Sequence, residues 1–243
     1  MHVDTGSGRL LVALDVDTAA QAVTMATELR DVCGGVKVGS RLFTSEGPAL
    51  VRRLVDAGQR VFLDLKFHDI PNTVAQAVES AVGTGAWMVN VHASGGVPMM
   101  QAAARAGHEA AAKLGRPRPL LIAVTVLTSM DAPTLASVGV TRPLLEHVVD
   151  LARMAQSAGL DGVVASPLET PAIRAACGPD FVIVTPGIRG GTAGGGTNDQ
   201  SRVMGPADAV RAGASYIVVG RPIIAAPDRR AATVAIAEEL AVV

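Results

Sequence analysis

Short apolar runs rich in β-branched residues recur along the chain, separated by Ala-rich stretches whose apolar positions fall three and four apart. The runs predict strands at Leu10–Val16, Val36–Gly39, Val61–Phe67, Trp87–His92, Leu120–Leu127, Gly162–Ala165, Phe181–Thr185 and Tyr216–Gly220. The stretches between them predict helices at Ala19–Val32, Pro48–Ala57, Val74–Val82, Pro98–Leu114, Arg142–Ala158, Pro167–Cys177, Arg202–Ala212 and Asp228–Leu240. Glycines at 34, 58, 115, 159 and 213 stand where helix C-terminal caps are expected. Strand then helix, eight times over, predicts an α/β fold: a single (β/α)8 TIM barrel domain across residues 1–243. An open doubly wound sheet would alternate in the same way, so the count of eight decides. No linker or composition break divides the chain.

Composition sharpens this picture in three places. Hydrophobic residues make up 49% but aromatics only 2%, so the core must be Val, Leu, Ile and Ala, as suits parallel strands buried under helices. A formal charge of -1 argues against a nucleic-acid partner or a basic membrane-binding face. Cys33 and Cys177 stand alone, with no ligand-like spacing, and read as buried free thiols in a reducing compartment. Met1 to Gly8 shows no apolar signal region, and the longest apolar run, Leu120 to Leu127, is too short to span a bilayer. A cytoplasmic protein is expected.

In a barrel of this kind the working residues come from the C-terminal ends of the strands. Those ends read Asp15, Lys37, Asp64 with Lys66, His92, Thr128, Ser166, Arg189 and Arg221. The most informative stretch is Asp64-Leu65-Lys66-Phe67-His68-Asp69-Ile70-Pro71-Asn72-Thr73. Asp64 and Lys66 lie two apart and share one strand face, while Val61, Leu63, Leu65 and Phe67 take the other. Asp69 follows just past the strand, which Pro71 ends. Two carboxylates thus flank one ammonium, and Lys66 is expected to keep its proton and act as a donor rather than a base.

A second cluster lies at strands seven and eight. Pro186-Gly187-Ile188-Arg189 leads into a glycine-rich loop that ends in Gln200, and strand eight ends in Gly220-Arg221. Barrels often bind phosphate here. Gly220 lets backbone approach an anion, Arg221 can grip two oxygens, Gln200 offers a further donor, and the loop suits a lid.

With these residues in hand, the chain resembles the bacterial orotidine 5′-phosphate decarboxylase family over essentially its whole length. The resemblance rests on Ala13-Leu14-Asp15-Val16, Lys37-Val38-Gly39, the stretch from Asp64 to Thr73, Asn90-Val91-His92-Ala93-Ser94-Gly95-Gly96, Thr185-Pro186-Gly187-Ile188-Arg189 and Val219-Gly220-Arg221-Pro222. The lid segment Gly190–Gly196 departs from it in being richer in glycine. The resemblance implies a homodimer with shared active sites that releases CO2 from orotidine 5′-phosphate to give UMP, the last step of de novo pyrimidine nucleotide synthesis, with no metal and no organic cofactor. It implies Lys66 as proton donor to carbon six, Asp64 beside the departing carboxylate, and Asp69 and Thr73 reaching into the partner's site. Asp15 and Lys37 would hold the ribose hydroxyls, with Lys37 also in the charge array. Thr128 would meet the pyrimidine edge, and Pro186, Arg189, Gln200, Gly220 and Arg221 would line the phosphate side.

Two rivals share the fold. One is a Mg-dependent phosphosugar decarboxylase or aldolase with a similar Asp-x-Lys-x-x-Asp motif; the continuation Phe67 to Thr73 argues against it. The other is a non-catalytic nucleotide-phosphate-binding barrel, which would have no use for a lysine between two acids. His68 reads as structural, and His92 as either a hydrogen-bonding support or a packed barrel residue. Asp17-Thr18 reads as an N-cap. No His, Cys and carboxylate set has metal-ligand spacing, and Ser94 and Ser166 lack a nucleophile-elbow context.

Overall fold

The computed structural model describes residues 6–188 and 204–241. Its strands are β1 (Leu10–Ala13), β2 (Gly35–Gly39), β3 (Val61–Phe67), β4 (Met88–His92), β5 (Leu120–Val124), β6 (Gly162–Val164), β7 (Val182–Thr185) and β8 (Tyr216–Val219). All pair in parallel and in sequence order, and β8 pairs back to β1, so the sheet closes into a barrel. The α-helices are α1 (Ala19–Leu29), α2 (Ser40–Asp56), α3 (Pro71–Gly83), α4 (Gly96–Leu114), α5 (Ala132–Ser137), α6 (Leu144–Ser157), α7 (Thr170–Cys177), α8 (Pro206–Arg211), α9 (Arg221–Ile224) and α10 (Arg229–Ala241). Eight strands in one closed sheet exclude the doubly wound alternative.

Strand alternation sorts the apolar residues into two cores. Leu11, Ala13, Phe62, Met88, Ile122, Val184, Tyr216 and Val218 fill the barrel interior. Their neighbours Leu10, Val12, Val61, Leu63, Val89, Val91, Ile183 and Ile217 pack outward under the helices. The longer helices meet them with a narrow apolar stripe, as Ala22, Met25, Ala26 and Leu29 do in α1. Thr18 starts that helix with a capping box, its hydroxyl accepting from the Gln21 N–H while the Gln21 side chain accepts from the Thr18 N–H. The cap expected at Asp17-Thr18 therefore belongs to Thr18; the Asp17 carboxylate pairs with Arg41.

Several boundaries differ from the sequence reading, each for a local reason. Strands β1 and β5 end at Ala13 and Val124, short of Val16 and Leu127, because their neighbours offer no further ladder. The last bonds are Leu14 N–H to the Lys37 carbonyl and Thr125 N–H to the Val164 carbonyl. Helix α2 starts at Ser40, well before Pro48, and breaks at Gly47, whose φ of 68° lies in the left-handed region. Its first seven residues bury only Leu42, too few apolar positions to reveal a period. The same holds for α5, which buries only Leu135 and is capped by the Asp131 carboxylate, and for α9, a single turn. Gly58, Gly115, Gly159 and Gly213 have positive φ at helix ends, but Gly34 does not. A Cβ at Gly34 would overlap the Gly8 carbonyl, so close backbone approach is what requires glycine there. Both cysteines are free, with Cys177 buried and Cys33 only partly so.

The N-terminal mouth is plugged by the chain's one Trp and one Tyr. Trp87 and Tyr216 meet edge to face at 5.2 Å, and the Arg60 guanidinium lies 3.8 Å from the centre of the Trp87 ring. That mouth is closed by packed side chains, while the opposite one carries the polar strand ends.

Close strand contact also makes a stability prediction. A Cβ at Gly162 in β6 would overlap the Val182 carbonyl of β7, whereas one at Gly83, at the end of α3, meets nothing within 4 Å. Gly162→Ala is expected to lower stability by about 1–3 kcal/mol as an overpacking change, and Gly83→Ala to be neutral or to raise it by about 0.5–1 kcal/mol. Urea unfolding midpoints of the two variants check the contrast.

Candidate active site

The inward parity of each strand continues past the apolar interior into charge at the C-terminal mouth. Ala13 is followed inward by Asp15, Gly35 by Lys37, Phe62 by Asp64, and Met88 by Asn90 and then His92. With Lys66, the charged groups among them form a row of alternating sign, Asp15, Lys37, Asp64 and Lys66. The Lys37 ammonium lies 3.6 Å from Asp15 Oδ1 and 3.5 Å from Asp64 Oδ2, and the Lys66 ammonium lies 2.7 Å from Asp64 Oδ1. Exposure grades along the row: Asp15 is 58% exposed, Lys37 12%, Asp64 13% and Lys66 35%. Gly39 leaves room for this, since a Cβ there would sit 3.1 Å from Lys37 Nζ.

Asp64 is the centre of the row. Burial pushes its carboxyl up, but Lys37, Lys66 and the hydrogen bonds from Lys66 and Asn90 outweigh burial and hold it below the usual carboxylate range. It therefore stays anionic while largely out of water.

Strand β3 does not run straight through this motif. Its pairing with β4 is regular at Leu63↔Val89 and resumes at Phe67↔Val91, so Asp64, Leu65 and Lys66 oppose Asn90 alone. Lys66 has a φ of 54°, the left-handed region, and is the one non-glycine residue with positive φ among the described residues. The plain alternation expected of this strand is thus replaced by a bulge, which re-aims Lys66 while keeping it on the side of Asp64. Fully buried Asn90 accepts from the Lys66 N–H at 2.8 Å and donates to Asp64 Oδ1 at 2.7 Å. Sequence reasoning quoted Asn90 inside a motif but gave it no role. The available signal was a polar residue at an inward position of the apolar strand Met88–His92.

His92 packs against His68, ring centres 5.4 Å apart. Burial first, then His68 and Lys66, hold the His92 imidazole below its usual range, against the opposite pull of Asp64.

One expected pairing is not formed within the chain. Asp69 Oδ1 accepts from the Ile70 N–H at 2.6 Å, and no ion pair among the described residues joins it to Lys66. The run from His68 to Thr73 is exposed, Ile70 at 66%, so Asp69 and Thr73 stand outside the row formed by their own chain. Thr128 lies on a turn beyond β5, Pro186 just after β7, and Gly220 and Arg221 at the start of α9. A Cβ on Gly220 would come 3.3 Å from Asp15 Oδ2, which places this segment at the Asp15 end of the row. A cleft of about 560 Å³ opens there, lined by Asp15, Gln21, Arg221 and Arg229 among others, while Lys37, Asp64 and Lys66 lie outside it. Arg189, Gln200 and the glycine-rich segment 190–196 fall outside the described residues. Among the described residues no group of three or more His, Cys, Asp or Glu side chains could hold a metal ion, and no helix is long and apolar enough to cross a membrane.

The model of the orotidine 5′-phosphate decarboxylase / HUMPS family matches residues 8–236. The chain belongs to this family. It is 56% identical over 236 residues to a Moorella thermoacetica protein named orotidine 5′-phosphate decarboxylase, covering 97% of this chain and 93% of that one. A Trichlorobacter lovleyi protein of the same name is 49% identical over 99% of this chain and 98% of its own length. Among solved structures, the orotidine 5′-phosphate decarboxylase of Lactobacillus acidophilus superposes with a TM-score of 0.84 at 39% identity, covering 95% of this chain and 98% of that chain. The enzyme from Pyrococcus horikoshii OT3 gives 0.74 at 29% identity, covering 95% and 98%. The barrel expected from the alternation is the family's barrel.

The electrostatics of the mouth predict a pH dependence of folding. His92 binds a proton less readily folded than unfolded, so between its depressed value and the usual 6.5 the unfolded chain holds more protons and stability rises with pH. Stability is expected to fall as pH drops from 7 toward 5, and His92→Gln to lose less over that interval. His147, also lowered by burial and by Arg142, contributes with the same sign, so the slope shrinks without vanishing. Urea midpoints at the two pH values check this.

Proposed function

We propose that Lys66 delivers the proton that completes conversion of orotidine 5′-phosphate to UMP and CO2, the last step of de novo pyrimidine nucleotide synthesis and the reaction that membership of this family assigns to the chain. The observation that carries this reading is the Lys66 ammonium, held 2.7 Å from a buried, anionic Asp64 at the barrel mouth. Breaking the bond between carbon six and the carboxyl group leaves an electron pair on the ring carbon. A fixed ammonium beside that carbon stabilises the developing charge, then gives up its proton to form the new C–H bond. Asp64 and Lys37 hold Lys66 in place and keep the charges at the mouth in balance. Asp15, next to Lys37 and to Gly220, is suited to the ribose hydroxyls. Gly220, Arg221, Pro186, Arg189 and Gln200 are read as the phosphate side, and Thr128 as the pyrimidine edge. Binding energy from a distant phosphate can be spent on holding the reacting groups in register.

We read the chain as one barrel domain acting as a homodimer in the cytoplasm. The exposed stretch from His68 to Thr73 supports the dimer. It carries Asp69 and Thr73 away from their own Lys66, and the apolar Ile70 between them is surface that a second copy would cover. On this reading each Asp69 completes the charge row of the partner. The Mg-dependent phosphosugar reading finds no support in relatives that carry the decarboxylase name at 56% and 49% identity.

The direct test follows the ultraviolet absorbance of orotidine 5′-phosphate with EDTA present. The wild-type chain is expected to convert it to UMP, and Lys66→Ala to lose at least about 1000-fold in kcat as a proton donor and charge stabiliser removed together. A folded wild-type chain without turnover would overturn the assignment. Shared sites have their own test: Lys66→Ala and Asp69→Ala chains, each nearly inactive alone, are expected to regain activity on mixing, up to about one quarter of sites by random pairing. Subunit exchange without recovery would exclude a site shared in this way.

A further inference from the structure

We propose that Asn90 is the positioning residue that sets Lys66 for proton delivery, by holding the β3 bulge open from β4 with its side-chain amide. The proposal rests on the reading of Lys66 as the proton donor.

The argument starts from a gap in the ladder. Between Leu63↔Val89 and Phe67↔Val91, three residues of β3 face one of β4, so ordinary strand pairing cannot satisfy the backbone of that stretch. The Asn90 side chain takes over: its carbonyl oxygen accepts from the Lys66 N–H at 2.8 Å, the bond a neighbouring strand would otherwise make. That bond ties down the single residue whose backbone is left-handed, at φ 54°. Lysine gains nothing locally from this conformation, and strain of this kind persists only where its surroundings fix it. The other end of the same amide donates to Asp64 Oδ1 at 2.7 Å, the oxygen that also receives the Lys66 ammonium at 2.7 Å. One planar group therefore sets both the backbone from which Lys66 projects and the carboxylate oxygen on which its tip rests.

Both amide orientations are not equivalent. A carboxylate oxygen can only accept and a backbone N–H can only donate, so the neighbours fix the oxygen toward Lys66 and the nitrogen toward Asp64. Asn90 is fully buried and touches no solvent, while Met88 below it belongs to the apolar interior. Its amide is taken up by the Lys66 N–H and the Asp64 carboxylate, so it acts through Lys66 and Asp64 and not on substrate. Aspartate at this position keeps the shape and the acceptor but loses the donor and sets a second carboxylate against Asp64. Alanine removes both bonds.

The test measures kcat and KM for orotidine 5′-phosphate, together with the affinity for UMP, in Asn90→Asp and Asn90→Ala beside wild type and Lys66→Ala. Misplacement of the donor by about 1 Å is expected to lower kcat about 100-fold, with KM and UMP affinity shifted less than about threefold because phosphate and ribose contacts lie elsewhere. Circular dichroism and the urea midpoint establish that each variant is folded; Asn90→Asp, nearly isosteric, is the variant to read if Asn90→Ala does not fold. Wild-type kcat in both folded variants would overturn the proposal, as would a loss carried by KM alone. Inactive wild type, or an active Lys66→Ala, would instead defeat the functional reading beneath it, so the two failures are distinct.

Discussion

The mouth of this barrel depends on one buried carboxylate. Asp64 is largely removed from water and would favour neutrality there, yet two ammonium groups and an amide hold it ionised. Removing a partner from such a pair leaves an uncompensated charge, which is far more costly than the pair is stabilising. The rest of the site follows from keeping Asp64 charged. Lys37 must come from β2 and Lys66 from β3 itself, and Asp15 then balances the outer face of Lys37. A row of alternating charge is the arrangement in which every ion has an opposite neighbour.

The barrel supplies the geometry for that row through parity. Inward positions along neighbouring strands fall in layers, so the same alternation that fills the interior with Ala13, Phe62 and Met88 puts Asp15, Asp64 and Asn90 one layer higher. The apolar layers below exclude water from beneath the charges. The aromatic and guanidinium stack of Trp87, Tyr216 and Arg60 closes the far end. The aromatic stack and the charge row thus occupy opposite mouths of one sheet and draw on different residues.

Much of this was legible in the chain. The strand centres, the barrel, and the residues Asp15, Lys37, Asp64 and Lys66 at strand ends all follow from alternation and from the position of charge beside apolar runs. What escaped was non-local. The bulge in β3 comes from its pairing with β4, and nothing in Asp64-Leu65-Lys66 announces a left-handed lysine. Short elements such as Ala132–Ser137 bury one residue each and carry no period. Asp69 reads as a flank of Lys66 because it is near in sequence, yet a turn after Phe67 carries it outward into solvent. Spacing along a strand gives direction only while the strand continues.

The energetic balance at Lys66 shows why the bulge and the asparagine belong together. A left-handed lysine costs roughly 1–2 kcal/mol relative to an ordinary strand conformation, and it removes its N–H from the ladder, a loss of about 1–3 kcal/mol if that group is left unpaired in the interior. A hydrogen bond from that N–H to Asn90 cancels the second cost, and the amide's charge-assisted bond to Asp64, worth about 1.5–3 kcal/mol, offsets the first. Neither half suffices alone: an amide bonded only to the backbone would leave the strain uncompensated, and one bonded only to the carboxylate would leave a buried orphan donor. Ionised Asp64 strengthens the bond that supports the strained backbone, so the same charge that orients the lysine's tip also helps secure the chain from which it projects.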